Sequence, residues 1–158
     1  AQDDKVEVIK DFKDFYRYQN FYLAGQPTLE GLHWLKSQGV TKIINLRTET
    51  ENNDYAEYAY DEETKVKDLG FEYHMIPISG LQDYTPEKLA VFISHMNDED
   101  KILIHCRSAG RVTYFLMGYL IREKGYTVNE AVAIGKKVKY SVPLEKLLGT
   151  EISMEIKE

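Results

Sequence analysis

Residues 101–111, KILIHCRSAGR, give the clearest indication of the fold. The first part of this stretch, Ile102 to Ile104, is apolar and rich in β-branched side chains, which is typical of a buried strand. A short polar loop follows, and residues 112–122 form an apolar run long enough for a buried helix. The sequence therefore predicts a strand, a tight loop and a helix in direct succession, with the only cysteine of the chain, Cys106, at the end of the strand.

A strand that leads directly into a helix forms a binding site for anions. Backbone N–H groups at the first helical turn point into the loop, and the helix dipole favours negative charge there. A thiol at this position loses its proton readily, and the thiolate is the reactive nucleophile. Arg111 adds a planar guanidinium that can hold a tetrahedral oxyanion through two hydrogen bonds. The alternative is that Cys106 is a small buried hydrophobic residue, as free cysteines often are.

Length and composition are those of a globular domain. Of the 158 residues, 43% are hydrophobic and 29% are charged, and no stretch approaches the roughly 18 apolar residues of a membrane-spanning helix. Because the formal net charge is −6, we expect no nucleic-acid partner, and an anionic ligand requires a local positive pocket. We predict one domain over residues 1–158, with residues 1–17 as an N-terminal extension. Nothing in the sequence indicates an oligomeric state.

The first residues, Ala1-Gln2-Asp3-Asp4, look like a mature end that signal-peptide cleavage leaves after a small residue. We therefore expect a periplasmic or secreted protein. A cytoplasmic location is the alternative, because a trimmed chain has the same start. The single cysteine excludes an intramolecular disulfide and assigns no compartment.

The rest of the chain alternates between predicted strands and helices. Strands are predicted over residues 21–24, 40–46, 71–78 and 101–105. Helices are predicted over residues 28–38, up to about 69, from 85 onward, over 112–122 and over 127–139, with another one starting at Pro143. Strands separated by helices indicate an α/β fold with a central, mostly parallel sheet of about four to five strands and helices on both faces.

One segment stands out by its charge. Residues 49–63 carry seven acidic side chains and no Lys or Arg. We interpret the segment as a solvated loop that leads into the helix ending near Leu69. Arg47, directly before it, either lines the rim of a site or pairs with these acids.

The predicted sheet brings three loops together. In a parallel sheet, ligands bind beyond the carboxyl ends of the strands. Cys106 lies at such an end, as do Arg47 and the loop over residues 79–83. Loops that are far apart in the sequence are therefore expected to converge on one site, which favours a functional role for Cys106.

The sequence His105-Cys106, a short loop and Arg111 before a helix resemble the phosphate loop of cysteine-dependent protein tyrosine and dual-specificity phosphatases. Most of that superfamily has about five residues between Cys and Arg, whereas four lie between them here. The shorter spacing is similar to a bacterial branch, the beta-lactamase-hydrolase-like phosphatase family. Further stretches that resemble this branch are residues 24–28, 43–47, 70–78 and 125–131. The resemblance covers roughly residues 18–150 and implies a cysteine-phosphatase-like α/β fold.

The resemblance also implies a reaction, the hydrolysis of phosphomonoesters through a phosphocysteine intermediate. Cys106 would be the nucleophile, Arg111 would hold phosphate oxygens, and Asp83 would be the general acid. An equally open interpretation of Asp83 is a residue that starts the following helix. The substrate implied is a phosphotyrosine, a phosphoprotein or another phosphorylated molecule, and the sequence does not identify it.

Other residues are assigned to substrate binding by the same resemblance. They are His105, which is expected to hydrogen-bond the loop, Arg47 at the rim, and Arg107, Ser108, Ala109 and Gly110 in the loop. Two alternatives stay open: His105 can be a buried residue satisfied at the end of its strand, and Arg107 can be a surface residue. These loops usually have glycine where Ala109 stands; if that position needs a positive φ, alanine costs about 1 kcal/mol there. No cofactor and no metal ion is expected, because the histidines lack metal-ligand spacing.

Two other functions remain open at this level. The run CRSAGR, residues 106–111, also resembles the six-residue loop of rhodanese-like sulfurtransferases, in which the cysteine carries a persulfide. The N-terminal half of the chain lacks the segments expected of such an enzyme. The other alternative is a catalytically silent phosphate-binding domain, a pseudophosphatase.

Overall fold

The computed structural model describes residues 4–53 and 60–140 of the chain. Strands β1 to β6 are Val6–Val8, Phe15–Tyr18, Phe21–Ala24, Val40–Asn45, Glu72–Met75 and Lys101–His105. They form one sheet in the order β1-β2-β3-β6-β4-β5. Strands β3, β6, β4 and β5 run parallel, whereas β1 and β2 extend the sheet in antiparallel fashion. The predicted α/β fold with a mostly parallel sheet is thereby confirmed.

The antiparallel strands come from the segment that the sequence suggested was an extension. Strands β2 and β3 form a hairpin in which Tyr18 pairs with Phe21. The turn between them contains no glycine, and Gln19 adopts the left-handed conformation with φ 54°. Because the usual Gly or Asn-Gly hairpin signal is missing, the pattern of the sequence did not reveal this part of the sheet.

The helices follow the predicted order, apart from a short one at Glu49–Asn52 in the segment that was predicted to be a solvated loop. They are α1 (Leu29–Ser37), α2 (Glu49–Asn52), α3 (Glu62–Asp68), α4 (Pro86–Ile93), α5 (Gly110–Arg122) and α6 (Val128–Gly135), and a 3₁₀ turn spans Leu81–Asp83. Within the described residues, no helix is long and apolar enough to cross a membrane. Pro143, where another helix was predicted to start, lies outside the described residues.

Threonine caps begin three of these helices as the sequence predicted. The side chains of Thr28, Thr85 and Thr127 each accept a hydrogen bond from the backbone N–H three residues later. Helix α6 ends at Gly135, before the predicted end near residue 139. The backbone N–H of Lys139 donates instead to the Thr113 hydroxyl at 3.1 Å, so a tertiary contact replaces the last helical turn.

Helices cover both faces of the sheet, because the apolar side chains along each parallel strand point alternately to one face and to the other. Ile44, Ile102 and Ile104 point to the face covered by α4, α5 and α6. Ile43 and Leu103 point to the other face, which α1 and α3 cover. Side chains of successive strand residues lie on opposite faces, so each parallel strand contributes to two cores.

The strand register aligns one edge of the sheet. Ala24 of β3 and Asn45 of β4 both pair with His105 of β6, and Asn45 also pairs with Met75 of β5. The four parallel strands therefore end at the same level. The loops that follow them meet above this edge, as the sequence predicted.

Candidate active site

The cysteine loop is clamped to the end of β3. The Cys106 backbone N–H donates to the Ala24 carbonyl oxygen at 3.2 Å, and the Gln26 N–H donates to the Arg107 carbonyl oxygen at 3.0 Å. The chains approach so closely that a Cβ atom on Gly25 would lie 2.6 Å from the Arg107 oxygen. Glycine at this position therefore permits the contact that holds the loop.

Ala109 adopts the left-handed conformation, with φ 71° and ψ 0°. The position thus has the positive φ that suits the glycine usual in related loops, although here it carries a Cβ. Its carbonyl oxygen accepts hydrogen bonds from the Thr113 N–H at 3.1 Å and the Thr113 hydroxyl at 2.8 Å. These contacts begin α5 and hold Ala109 in a conformation that costs an L residue about 1 kcal/mol. Gly110, by contrast, lies in the helix with nothing within 4 Å of a hypothetical Cβ.

A cavity of about 310 Å³ opens above the cysteine. It is lined by Cys106, Ser108, Gly110 and Arg111 and, around them, by Gly80, Leu81, Tyr84 and Tyr114. The Cys106 side chain is buried at its floor. Burial, together with the neighbouring Cys106, raises the pKa of Tyr84 above its ordinary value.

The Arg111 guanidinium is held by Glu51 of α2. Nη1 donates to Glu51 Oε1 at 2.7 Å and to the Ile78 carbonyl oxygen at 2.9 Å, and Nη2 donates to Glu51 Oε2 at 2.9 Å. Burial opposes ionisation of Glu51, but hydrogen bonds from Arg111 and from the Thr48 backbone outweigh it and lower the pKa of Glu51 to about 2. The interpretation of residues 49–63 as a solvated loop is wrong for Glu51, because a tertiary ion pair draws it into the site.

Glu62 is the second acid that the sequence misassigned as solvated. Its side chain is 3% exposed. Burial again opposes ionisation, but His105 and other donors outweigh it and hold the pKa of Glu62 below its ordinary value. The partners of the carboxylate are Gln26 Nε2 at 2.6 Å, Asn45 Nδ2 at 3.0 Å, the Tyr73 hydroxyl at 2.7 Å and His105 Nε2 at 2.8 Å.

His105 lies below the cavity rather than in it. Its ring is fully buried, with Nε2 against Glu62 and Nδ1 3.2 Å from the carbonyl oxygen of Cys106. It therefore contacts the loop backbone, as expected, from beneath. Asn45 and His105 are polar residues at the ends of apolar strands, and this is the sequence signal that could have revealed the buried polar cluster.

Arg47 is buried as well and does not line the cavity. Its Nη1 donates to Gln26 Oε1 at 2.5 Å, and its Nε lies 3.7 Å from Glu51 Oε2. Of the two roles that the sequence left open, the structure shows the pairing with the acidic segment. Arg47 therefore forms an ion pair with Glu51, and Glu51 in turn orients the Arg111 guanidinium.

Asp83 sits in the 3₁₀ turn beside the cavity. Its carboxylate accepts hydrogen bonds from the Ser79 N–H and from the Ser79 hydroxyl, both at 2.8 Å. These bonds lower the pKa of Asp83. The side chain is not among the groups that line the cavity, whereas its neighbour Tyr84 is. The role of Asp83 as general acid stays a prediction.

The remaining loop residues divide between two sides. Ser108 and Gly110 line the Cys106 cavity, Ala109 is buried beneath it, and Arg107 is exposed on the opposite side of the loop. Within residues 4–53 and 60–140, no group of three or more His, Cys, Asp or Glu side chains is arranged to hold a metal ion.

The fold and the cysteine loop are those of the tyrosine and dual-specificity phosphatase-like superfamily. The chain belongs to the family described as DSP-PTPase phosphatase fused to NAD+ Kinase, whose model matches residues 4–137. The superfamily that the sequence motifs suggested is therefore confirmed. A comparison with curated proteins gave no significant match.

Solved structures share the fold at low sequence identity. A putative phosphatase (DUF442) from Shewanella putrefaciens CN-32 is 19% identical, with a TM-score of 0.62 over 84% of this chain and 97% of that one. TpbA from P. aeruginosa, in complex with pTyr, is 11% identical, with a TM-score of 0.66 over 90% and 93% of the two chains. PTPMT1 in complex with PI(5)P is 17% identical, with a TM-score of 0.67 over 82% and 88%.

The left-handed alanine generates a stability prediction. Ala109→Gly removes the Cβ from a position with positive φ, and we expect the free energy of unfolding to rise by about 1 kcal/mol. Urea denaturation measures the change. Ala133→Gly, at an exposed position of α6, is the control and should lower the stability by about 1 kcal/mol. A loss of stability at both positions would contradict the strain at Ala109.

A second stability prediction concerns the buried carboxylate of Glu62. Glu62→Gln removes the charge and turns one acceptor into a donor, so we expect a loss of about 3 kcal/mol at neutral pH. Because the pKa of Glu62 is lowered in the folded state, its contribution is present above the ordinary carboxyl pKa and is lost as the pH falls through the folded value.

The difference between wild type and Glu62→Gln should therefore shrink in acid, as urea denaturation across pH will measure. Glu63→Gln is the matched control, because Glu63 is exposed and its carboxylate pairs with the exposed Lys67. Its effect should stay within about 0.5 kcal/mol. An equal effect of both variants would disprove the role of Glu62.

Proposed function

We propose that the protein hydrolyses phosphomonoesters, with Cys106 as nucleophile and a phosphocysteine as intermediate. The observation that carries the proposal is that the Cys106 thiol and the Arg111 guanidinium line the same cavity at the first turn of α5. Helix N–H groups and a guanidinium are the groups that stabilise a phosphoryl group as charge develops on its oxygens. Membership in a phosphatase family supports the same chemistry.

The reaction proceeds in two steps, transfer of the phosphoryl group to Cys106 and hydrolysis of the phosphocysteine. The Cys106 thiolate attacks phosphorus, the P–O bond to the leaving group breaks, and the leaving oxygen takes a proton from Asp83. Water then attacks the phosphocysteine, the S–P bond breaks, and the Asp83 carboxylate takes a proton from that water. Inorganic phosphate leaves, and the thiolate and the acid are restored.

Arg111 can bind phosphate without releasing Glu51. A guanidinium carries five N–H donors. The contacts of Arg111 with Glu51 and with the carbonyl oxygens of Ile78 and Leu46 use both hydrogens of Nη1 and one of Nη2. Toward the described residues, Nε–H and the other Nη2 hydrogen are left for phosphate oxygens. Glu51 is accordingly a positioning residue that orients Arg111 before substrate arrives.

The substrate is proposed to be a phosphate ester that reaches the floor of a partly aromatic cavity. Tyr84 and Tyr114 line its walls, and Leu81 is 51% exposed at its edge. The related TpbA and PTPMT1 structures hold pTyr and PI(5)P, respectively, and both ligands carry phosphate on an oxygen. No observation on the described residues favours sulfur transfer or binding without turnover.

Cys106→Ser tests the reaction class. We expect it to abolish phosphate release from phenyl phosphate, because the nucleophile is lost. Arg111→Lys should lower kcat/KM by roughly 10²-fold or more, because a lysine cannot replace two directed hydrogen bonds. Arg122→Lys, an exposed position at the end of the same helix, is the control and should leave the rate unchanged.

Sulfur transfer from thiosulfate to cyanide is measured in parallel. Transfer without phosphate release would move the protein to the sulfurtransferases and overturn the proposal. Phosphate release that persists in Cys106→Ser would reject the phosphocysteine. Orthovanadate binding to Cys106→Ser, measured by thermal shift, separates a lost nucleophile from a lost fold.

The pH profile tests Asp83. A general acid must be protonated, so the rate falls as the pH rises through the pKa of that acid. Asp83→Asn should remove this alkaline limb and slow phenyl phosphate hydrolysis by roughly 10²-fold. Ser79→Ala removes one hydrogen bond that lowers the pKa of Asp83, so the limb should move to higher pH.

Ser94→Ala, which changes an exposed hydroxyl at the end of α4, is the control for the serine substitution. It should leave the profile in place. An alkaline limb that survives in Asp83→Asn would show that another group supplies the proton.

A further inference from the structure

A second cleft lies on the other side of the cysteine loop. It has a volume of about 230 Å³ and is lined by Lys13, Asp14, Gly25, Gln26, Arg107 and Ser108. Ser108 also lines the Cys106 cavity. The two cavities therefore adjoin at this residue, with the loop between them. We call the second one the Lys13–Arg107 cleft.

The charge of this cleft is opposite to that of the whole chain. Lys13 and Arg107 are exposed at its walls. Asp14 also lines it, but Lys139 Nζ lies 3.0 Å from Asp14 Oδ1 and compensates that carboxylate. Among the described residues, Lys13 and Lys139 outnumber the Asp14 carboxylate, and Arg107 adds a guanidinium, so positive charge predominates locally in a protein with a formal net charge of −6. Such a local excess concentrates anions despite the overall repulsion.

The positive surface has a definite boundary. Lys13 also borders a neighbouring cleft that contains Asp11 and Glu30. These carboxylates disfavour an anion on that side of Lys13. The favourable position is therefore the Arg107 side, which is also the side that adjoins the Cys106 cavity.

Backbone hydrogen bonds hold the walls of the cleft in place. The Gly25 N–H donates to the Asp14 carbonyl oxygen at 2.9 Å, and the Gln26 N–H donates to the Arg107 carbonyl oxygen at 3.0 Å. Asp14 itself adopts a positive φ of 50°. The two ends of the β2–β3 hairpin and the cysteine loop are thus tied together around the cleft. A cleft that is already formed pays little ordering cost when a ligand binds.

We propose that the Lys13–Arg107 cleft binds a second phosphate group of the substrate, while the phosphate to be hydrolysed occupies the Cys106 cavity. Arg107 offers the planar donor set that phosphate oxygens match, and Lys13 adds a point charge. The proposal rests on the proposed function and names the substrate class, a small molecule with two phosphate groups. The two cavity volumes, about 310 and 230 Å³, suit a small molecule better than a polypeptide.

The test measures binding, so that it does not depend on turnover. Alkane bisphosphonates of increasing chain length and the matching monophosphonates are titrated into the wild-type protein by calorimetry. One chain length should bind at least about tenfold more tightly than its monophosphonate, because only that length spans both sites. The preference should weaken as the salt concentration rises.

Substitutions locate the second site. Lys13→Gln should lower the affinity for the best bisphosphonate about tenfold, as expected for loss of one charged contact, and change the affinity for the monophosphonate by less than about twofold. Arg107→Gln should also weaken the bisphosphonate. Lys101→Gln is the matched control, because Lys101 is exposed at the opposite end of β6 and its substitution changes the net charge equally.

Four outcomes overturn the proposal. The first is equal affinity for bisphosphonates and monophosphonates at every chain length. The second and third are an equal loss of affinity for both ligands in Lys13→Gln, and a loss of bisphosphonate affinity in Lys101→Gln as large as that in Lys13→Gln. The fourth is a Lys13-dependent preference for a doubly phosphorylated peptide over all the alkane ligands. If Lys13-dependent bisphosphonate binding is found but phenyl phosphate is not hydrolysed, the cleft stands and the proposed function fails. If phenyl phosphate is hydrolysed but bisphosphonate binding does not depend on Lys13, the second phosphate site is disproved and the proposed function is supported.

Discussion

The buried carboxylate of Glu62 is the interaction on which the site depends. An ionised carboxylate removed from water is costly unless several donors surround it. Its donors are Gln26, Asn45, Tyr73 and His105. They lie at or just beyond β3, β4, β5 and β6, respectively, so a single charge joins all four parallel strands. Because each donor must stay in place, the sheet presents a rigid edge, and the cysteine loop begins from this edge.

The loop itself is shaped by contacts that override local preference. Ala109 adopts a left-handed conformation that alanine disfavours, and Gly25 lets the β3 end approach the Arg107 carbonyl. Arg111 is oriented by Glu51 before any ligand binds. The groups of the anion site are therefore already oriented in the folded protein, so little free energy is spent on arranging them when a ligand binds. Such preorganisation is the condition for electrostatic stabilisation of a transition state. The same clamp forms the walls of the Lys13–Arg107 cleft, so the two sites share one rigid support.

Sequence reasoning succeeded where the deciding interactions are local. The threonine caps of α1, α4 and α6 and the strand over 101–105 were predicted, because capping and apolar runs involve residues close in sequence. The β2–β3 hairpin was missed, because Gln19 takes a conformation that usually signals itself through glycine. Acidic residues in 49–63 were assigned to solvent, since a carboxylate without its partner looks the same whether it is exposed or buried.

Three features follow from the sequence alone: the parallel α/β sheet, the cysteine loop before α5 and the convergence of the loops at one edge. They can be predicted because strand direction and helix placement depend on patterns along the chain. The hydrogen-bond and ion-pair partners of the site residues, by contrast, are visible only in the folded protein. Glu51 meets Arg111 and Glu62 meets His105 across gaps of 60 and 43 residues, respectively. Lys13 reaches the cysteine loop because β3 lies beside β6. Contacts of this kind depend on strand order and register, which no short stretch of sequence encodes.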